Sequence, residues 1–307
     1  MTERAERIEG GLIGMLVGDA LGVPYEFHAP EALPPQTAIE FDPPAGFHRA
    51  HAGTPPGTWS DDGAQALCLL DSLLACGRLD VADFARRLLR WYDEGHLAVD
   101  GRVFDIGIQT GRALRRLRGG VPARDAGADP EAKGNGSLMR VLPLALWHRG
   151  SDAELVADAQ AQSRVTHGAL TCQVCCALNC LWARRVLAAT DDPWAEAVAA
   201  LRTIYEEGTE ERRELEWSIR PDDPPEGHGG GYVVDCVRSA RLSIAQGDYE
   251  AAVKAAVALG NDTDTTACVA GGIAGLRDGV TAIPARWRDA LRGRELLAPL
   301  LSALLAR

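Results

Sequence analysis

Two stretches of this 307-residue chain gather hydroxyls and carboxylates just ahead of apolar helical patterns. The first is Gly57-Thr58-Trp59-Ser60-Asp61-Asp62; the second is Gly260-Asn261-Asp262-Thr263-Asp264-Thr265-Thr266. Taken singly, each is accounted for by N-capping, since Ser and Asp oxygens satisfy the orphan amides of a first helical turn. Two such clusters in one chain offer four carboxylates (Asp61, Asp62, Asp262, Asp264) and two hydroxyls (Ser60, Thr265). Hard divalent cations take oxygen ligands, and this donor set suffices for two hexacoordinate ions completed by water or substrate.

The elements that must position these groups are helices. Apolar residues recur at helical spacing over 4–22, 62–76, 80–92, 101–118, 137–148, 151–164, 168–189, 193–207, 231–246, 248–259, 264–277 and 285–305, and strand signals are nearly absent. Glycines at 10, 11, 14, 18 and 22 give the first helix a face of small residues, as close helix packing or a ligand approach requires. The stretch 29–57, dense in proline and glycine, reads as a long irregular loop of the kind that is usually functional. Breaks at 119–136 and 208–230 do not separate distinct halves, so the expectation is an all-α single compact domain over 1–307.

Composition sets the outer bounds. Apolar residues make up 46%, charged residues 24% and aromatics 6%, which is globular rather than disordered. With 32 Lys+Arg against 43 Asp+Glu the net charge is −11, so nucleic acid is not expected as a partner. The N-terminus lacks the layout of a secretory signal and no segment has the ~18 apolar residues of a membrane span; a soluble, cytoplasmic protein is expected. Eight cysteines are too few for a disulfide scaffold at this length. Cys172, Cys175, Cys176 and Cys180 share one helical face and read as a buried apolar stripe.

The order of Gly18-Asp19-Ala20-Leu21-Gly22 with Glu26, Trp59-Ser60-Asp61-Asp62, Gly134-Asn135-Gly136-Ser137-Leu138-Met139-Arg140, Thr166-His167, Gly231-Tyr232-Val233-Val234 and Gly260-Asn261-Asp262-Thr263-Asp264-Thr265 resembles the ADP-ribosylglycohydrolase family, which includes the dinitrogenase reductase-activating glycohydrolases. The resemblance implies an all-α fold with a binuclear Mg²⁺ or Mn²⁺ centre at helix N-termini, removing ADP-ribose from a modified side chain of a protein or small conjugate. It implies Ser60, Asp61, Asp62, Asp262, Asp264 and Thr265 as metal ligands, and Glu26 and Asp105 as the acidic groups near the ribose and the scissile bond. Asn135, Gly136 and Ser137 would face ribose and diphosphate, His167 and Gly231 would lie at the substrate pocket, and Tyr232 at the adenosine end. Three departures stand out: Ser60 replaces the commoner Thr, Gly63 lacks the hydroxyl often found after the Asp pair, and Ile108 stands where arginine-directed members often have Asn.

Elementary chemistry agrees with this reading. Cleavage at the ribose develops oxocarbenium character and needs a fixed sugar, an activated water and help for the leaving group. Glu26 and Asp105 are the candidates to shuttle the proton. Glu26 follows Pro24, past the end of the first helix, and is expected on a mobile connection. Modified arginine is the first substrate expected and an O-linked serine adduct the second. The alternatives are a member that binds ADP-ribose without turnover, and a dinuclear hydrolase of a phosphate ester or small nucleotide conjugate. Tyr232 is either a core aromatic or an adenine-stacking ring, and the glycines of 227–231 form either a flexible loop or an amide cradle for phosphate. The remaining histidines, His51 among them, carry no assignment, and the Arg112-Arg115-Arg116-Arg118 run reads as a solvated helix face.

Overall fold

The computed structural model describes residues 2–307, and fifteen α-helices are found there. They are α1 (Glu3–Gly22), α2 (Asp61–Cys76), α3 (Val81–Glu94), α4 (Ile108–Arg118), α5 (Ala123–Ala126), α6 (Leu142–Trp147), α7 (Asp152–Arg164) and α8 (Leu170–Leu187). There follow α9 (Pro193–Ile204), α10 (Glu210–Arg213), α11 (Val233–Ile244), α12 (Tyr249–Ala258), α13 (Thr263–Asp278), α14 (Ala285–Ala290) and α15 (Arg294–Leu305). One continuous apolar cluster runs from Ile8 to Leu304. The only strand-like pairing among the described residues is an isolated antiparallel bridge between Gly134 and Tyr232.

The glycine face of α1 exists for packing. A Cβ on Gly10 would enter the Gly275 carbonyl, one on Gly14 the Gly271 carbonyl, and one on Gly18 the Ala267 carbonyl, so α1 and α13 run antiparallel with their backbones in contact. Small residues permit this approach because no side chain stands between the helices. Consequently the C-terminal end of α1 lies at the N-terminal end of α13, where Gly22 abuts the backbone of Asp264 and Thr263 Oγ1 donates to Gly22 O at 2.7 Å. The stripe thereby decides where the second acidic motif sits.

The structure corrects several of the expected boundaries. The helix expected over 101–118 begins at Ile108, and Asp105 lies in the irregular approach with a left-handed φ of 56°. The helix expected over 137–148 is a turn followed by Leu142–Trp147, since Pro143 suits a first helical turn and not an interior. The segment 285–305 divides into α14 and α15 around Gly293, whose φ is 70°. Both expected breaks contain short helices, α5 in the first and α10, continuing as a π-helical turn over Glu214–Ile219, in the second. Within 29–57 there are only single 3₁₀ turns, at Pro30–Ala32 and Gln36–Ala38. No described helix is long and apolar enough to cross a membrane.

Candidate active site

Helices α2 and α13 present their N-termini to the same place. At α2, Ser60 is the N-cap and its Oγ accepts from Asp62 N at 3.3 Å. Asp19, buried on α1, accepts from Ser60 N at 2.9 Å and from Gly63 N at 2.8 Å, so a carboxylate of one helix satisfies the first turn of another. At α13, Asp264 Oδ1 accepts from Thr265 N at 2.8 Å, and Asp262 Oδ2 accepts from Asn135 Nδ2 at 2.8 Å. Thr265 Oγ1 lies 3.4 Å from Asp62 Oδ1 and joins the two motifs directly.

Glu26 closes this group, and its setting corrects the expectation of a mobile connection. Phe27 N donates to Asn261 O and Asn261 N to His28 O, both at 2.7 Å, which clasps the 26–28 segment to the start of α13. Phe27 and Asn261 both take left-handed φ to make this clasp, and Glu26 is buried. Its Oε2 lies 2.5 Å from His51 Nε2, and Asp105 Oδ1 lies 3.8 Å from the same nitrogen. Ligand atoms of Glu26, Asp262 and Asp264 fall within 4.8 Å of one another, as do those of Glu26, His51 and Asp105.

So many carboxylates cannot all ionise comfortably away from water. Burial first, and neighbouring carboxylates second, push Asp61, Asp62, Asp264 and Glu26 far above the usual range. Burial lowers His51, which disfavours an imidazolium beside Glu26. Asp62 Oδ2 and Asp264 Oδ2 are buried without any hydrogen-bond partner. Unpartnered, crowded carboxylate oxygens are costly alone but suit a hard divalent cation.

These residues border a cavity of about 550 Å³ lined by Glu26, Asp61, Asp62, Asp105, Asp262 and Thr265 on the acidic side and by Asn135, Gly136, His167 and Gly231 opposite. Ser60 and Asp264 lie outside this lining, Ser60 with its hydroxyl engaged in the helix cap. The opposite wall is built by the bridge: Asn135 N donates to Gly231 O at 3.1 Å and Val233 N to Lys133 O at 3.0 Å. Gly136 has no room for a side chain, because a Cβ would stand 2.8 Å from His167 Cε1. His167 Nδ1 is 2.7 Å from Thr166 Oγ1, and burial holds its pKa well below the ordinary value, which keeps the ring neutral.

One expectation for this wall is overturned and two open alternatives are narrowed. The Ser137 hydroxyl faces Ser163 Oγ at 2.8 Å and Cys176 Sγ at 3.4 Å, because the turn closed by Leu138 N to Asn135 O carries it into the core. Amides of 228–230 are taken by Asp235 and Ser239, so they form no phosphate cradle. Tyr232 is not a core aromatic: it is 44% exposed and lies outside the cavity lining. The arginine run is a solvated helix face, as expected: Arg112, Arg115, Arg116 and Arg118 are all exposed. Arg118 pairs with Asp93, while Arg112 and Arg115 line a separate cavity of about 500 Å³ that shares Gln109 with the first.

Asp19, His51, Gln65 and Arg140 were not picked out as site residues from the sequence. Asp19 had a signal, a carboxylate among glycines and apolar residues on a helix that must be buried. His51, from the irregular loop, had none.

Comparison with known proteins identifies the family. The family model described as ADP-ribosylglycohydrolase matches residues 1–307. The ADP-ribosylarginine hydrolase Tri1 of Pseudomonas putida (strain GB-1) is 32% identical over 309 residues, covering 98% of this chain and 78% of that protein. The ADP-ribosyl-[dinitrogen reductase] glycohydrolase of Rhodospirillum rubrum is 28% identical over 292 residues, covering 93% of this chain and 90% of its own. A solved structure described as an ADP-ribosylglycohydrolase-related protein complex superposes with a TM-score of 0.79 at 34% identity, covering 100% of this chain and 99% of that one. With its acidic motifs meeting at two helix N-termini and its whole length matched, the chain belongs to the ADP-ribosylglycohydrolase family.

Proposed function

We propose that the protein is a metal-dependent hydrolase that removes ADP-ribose from a modified arginine side chain. The observation that carries this reading is the meeting of Asp61, Asp62, Asp262 and Asp264 beside Glu26 and Asp105, with two buried carboxylate oxygens left without a partner. Ser60, Asp61, Asp62, Asp262, Asp264 and Thr265 would hold two divalent cations, Mg²⁺ or Mn²⁺. Such cations orient ribose hydroxyls and lower the pKa of a bound water. The similarity to the ADP-ribosylarginine hydrolase of Pseudomonas putida supports arginine over serine as the acceptor.

The chain's own residues account for the rest. Asn135 is anchored by its side chain to Asp262 and by its backbone to Gly231, so the sugar-facing loop is fixed relative to the acidic wall. Glu26 and Asp105, with His51 Nε2 between them, move the proton between water and leaving nitrogen. Tyr232 offers an exposed ring for the adenine. The exposed Phe27 and Ile108 flank the cavity mouth where the acceptor side chain enters.

The test is incubation of chelator-stripped protein with mono-ADP-ribosylated peptides that differ only in the acceptor residue. Release of ADP-ribose from the arginine peptide, restored by Mg²⁺ or Mn²⁺, is expected. ADP-ribose binding with no release from any acceptor would instead make this a binding module.

A further inference from the structure

Arg140 is wholly buried, and its three side-chain hydrogen bonds all go to neutral oxygens. Its Nη1 donates to Gln65 Oε1 at 2.8 Å, its Nε to Gln162 Oε1 at 3.1 Å and its Nη2 to Gln162 O at 3.1 Å, while its guanidinium carbon lies 5.1 Å from the Phe84 ring centre. A lone buried cation is expensive, and these neutral acceptors do not neutralise it. What it faces beyond Gln65 is the acidic cluster.

The chemistry of the two side chains fixes the polarity of this link. A guanidinium only donates, so the Gln65 oxygen must turn to Arg140 and its NH₂ must turn the other way. That NH₂ donates to Asp61 Oδ2 at 2.7 Å. One oxygen of Asp61 is thereby held while the residue borders the cavity. On its other side, Gln162 Nε2 donates to Ser137 O at 3.2 Å, which ties the same guanidinium to the turn that carries Asn135 and Gly136. A rigid fork can join both walls in this way; a lysine ammonium lacks the geometry.

We propose that Arg140 is a positioning residue that, through Gln65, aims the Asp61 carboxylate at a divalent cation. The inference rests on the metal-dependent reading above. The relay has two parts that substitution separates. Gln65→Glu still gives Arg140 an acceptor, now as an ion pair, but withdraws the donor from Asp61 and sets a carboxylate against it. Gln65→Met keeps the volume and removes both ends of the link.

The experiment titrates Mn²⁺ into the chelator-stripped full-length chain, reading free Mn²⁺ by electron paramagnetic resonance, with a melt of each metal-free protein alongside. Gln65→Met is expected to melt lower than wild type and Gln65→Glu no lower. Both are expected to bind Mn²⁺ about 10–100-fold more weakly, the range seen when groups that orient ligands are lost. If Gln65 serves only to satisfy Arg140, Gln65→Glu binds Mn²⁺ as wild type does, and the proposal is overturned. Should Gln65→Glu not fold, wild-type affinity in Gln65→Met overturns it equally. Absence of Mn²⁺ binding by the wild-type protein would remove the metal-dependent reading itself, and this inference with it.

Discussion

Asp264 is under two opposed demands. Its Oδ1 is held by the Thr265 amide, its Oδ2 has no partner, and burial together with Glu26 and Asp105 raises its pKa. Asp264→Asn keeps an acceptor for Thr265 N while removing the like charge, so the metal-free melting temperature is expected to stay level or rise. Mn²⁺ affinity is expected to fall by at least ~10–100-fold, since an amide oxygen is a weaker ligand for a hard cation. A variant that melts lower yet binds Mn²⁺ normally would take Asp264 out of the ligand set. Glu26→Gln preserves size and the reach to His51 but removes the titratable proton. Single-turnover release of ADP-ribose from a modified arginine peptide should slow by ~10²–10⁴-fold while calorimetry finds ADP-ribose still bound; a wild-type rate would transfer the proton role to Asp105. Asp264 could be found in the sequence because hydroxyls and carboxylates clustered at two helix starts are rare, whereas Glu26 was reached only through the family resemblance. Gln65, Arg140 and His51 could not, because each takes its role from a partner far along the chain: Arg140 from Gln65, and His51 from Glu26.

At the scale of elements, the site depends on how closely α1 can lie against α13. The glycine spacing announced a close approach without saying what would approach, and the partner turned out to be a helix whose own Gly271 and Gly275 answer Gly14 and Gly10. A methyl at either end of this seam must push backbone, and such overpacking typically costs about 1–3 kcal/mol. Gly22→Ala and Gly10→Ala are therefore both expected to lower the melting temperature. They should differ in function, because Gly22 abuts Asp264 whereas Gly10 meets Gly275 and Val280 at the far end. Turnover and Mn²⁺ affinity should fall in Gly22→Ala and remain near wild type in Gly10→Ala at a temperature where both are folded. Equal losses would mean that the seam acts on overall stability alone. Two of the boundaries that periodicity misplaced lie where a single residue overrides the pattern: Pro143 moves the start of α6, and Gly293 divides α14 from α15.

For the whole molecule, the crowded carboxylates make stability depend on pH in an unusual direction. A carboxyl whose folded pKa is raised keeps a proton in the native state that the unfolded chain has already lost, so stability falls as pH rises from the unfolded value to the folded one. Asp19 is raised to about 7 and Glu26 to about 10, burial being the first cause in both, and Asp61, Asp62 and Asp264 shift the same way. His51, His148 and His167 have lowered values and act with the opposite sign, but only below their ordinary 6.5. Raised cysteine values add a further loss of stability only as pH nears their ordinary 9. The clean window is therefore about pH 7 to 8.5, where the metal-free protein is expected to melt progressively lower as pH increases. A divalent cation held by these carboxylates favours their ionised form, so saturating Mn²⁺ should raise the melting temperature most at the upper end and flatten the slope, while leaving any contribution of the cysteines unchanged. Parallel slopes with and without Mn²⁺ would show that the cation does not bind among these groups. Because the fold was built from helices whose N-termini and glycine seam converge here, this slope reports on the assembled site as a whole.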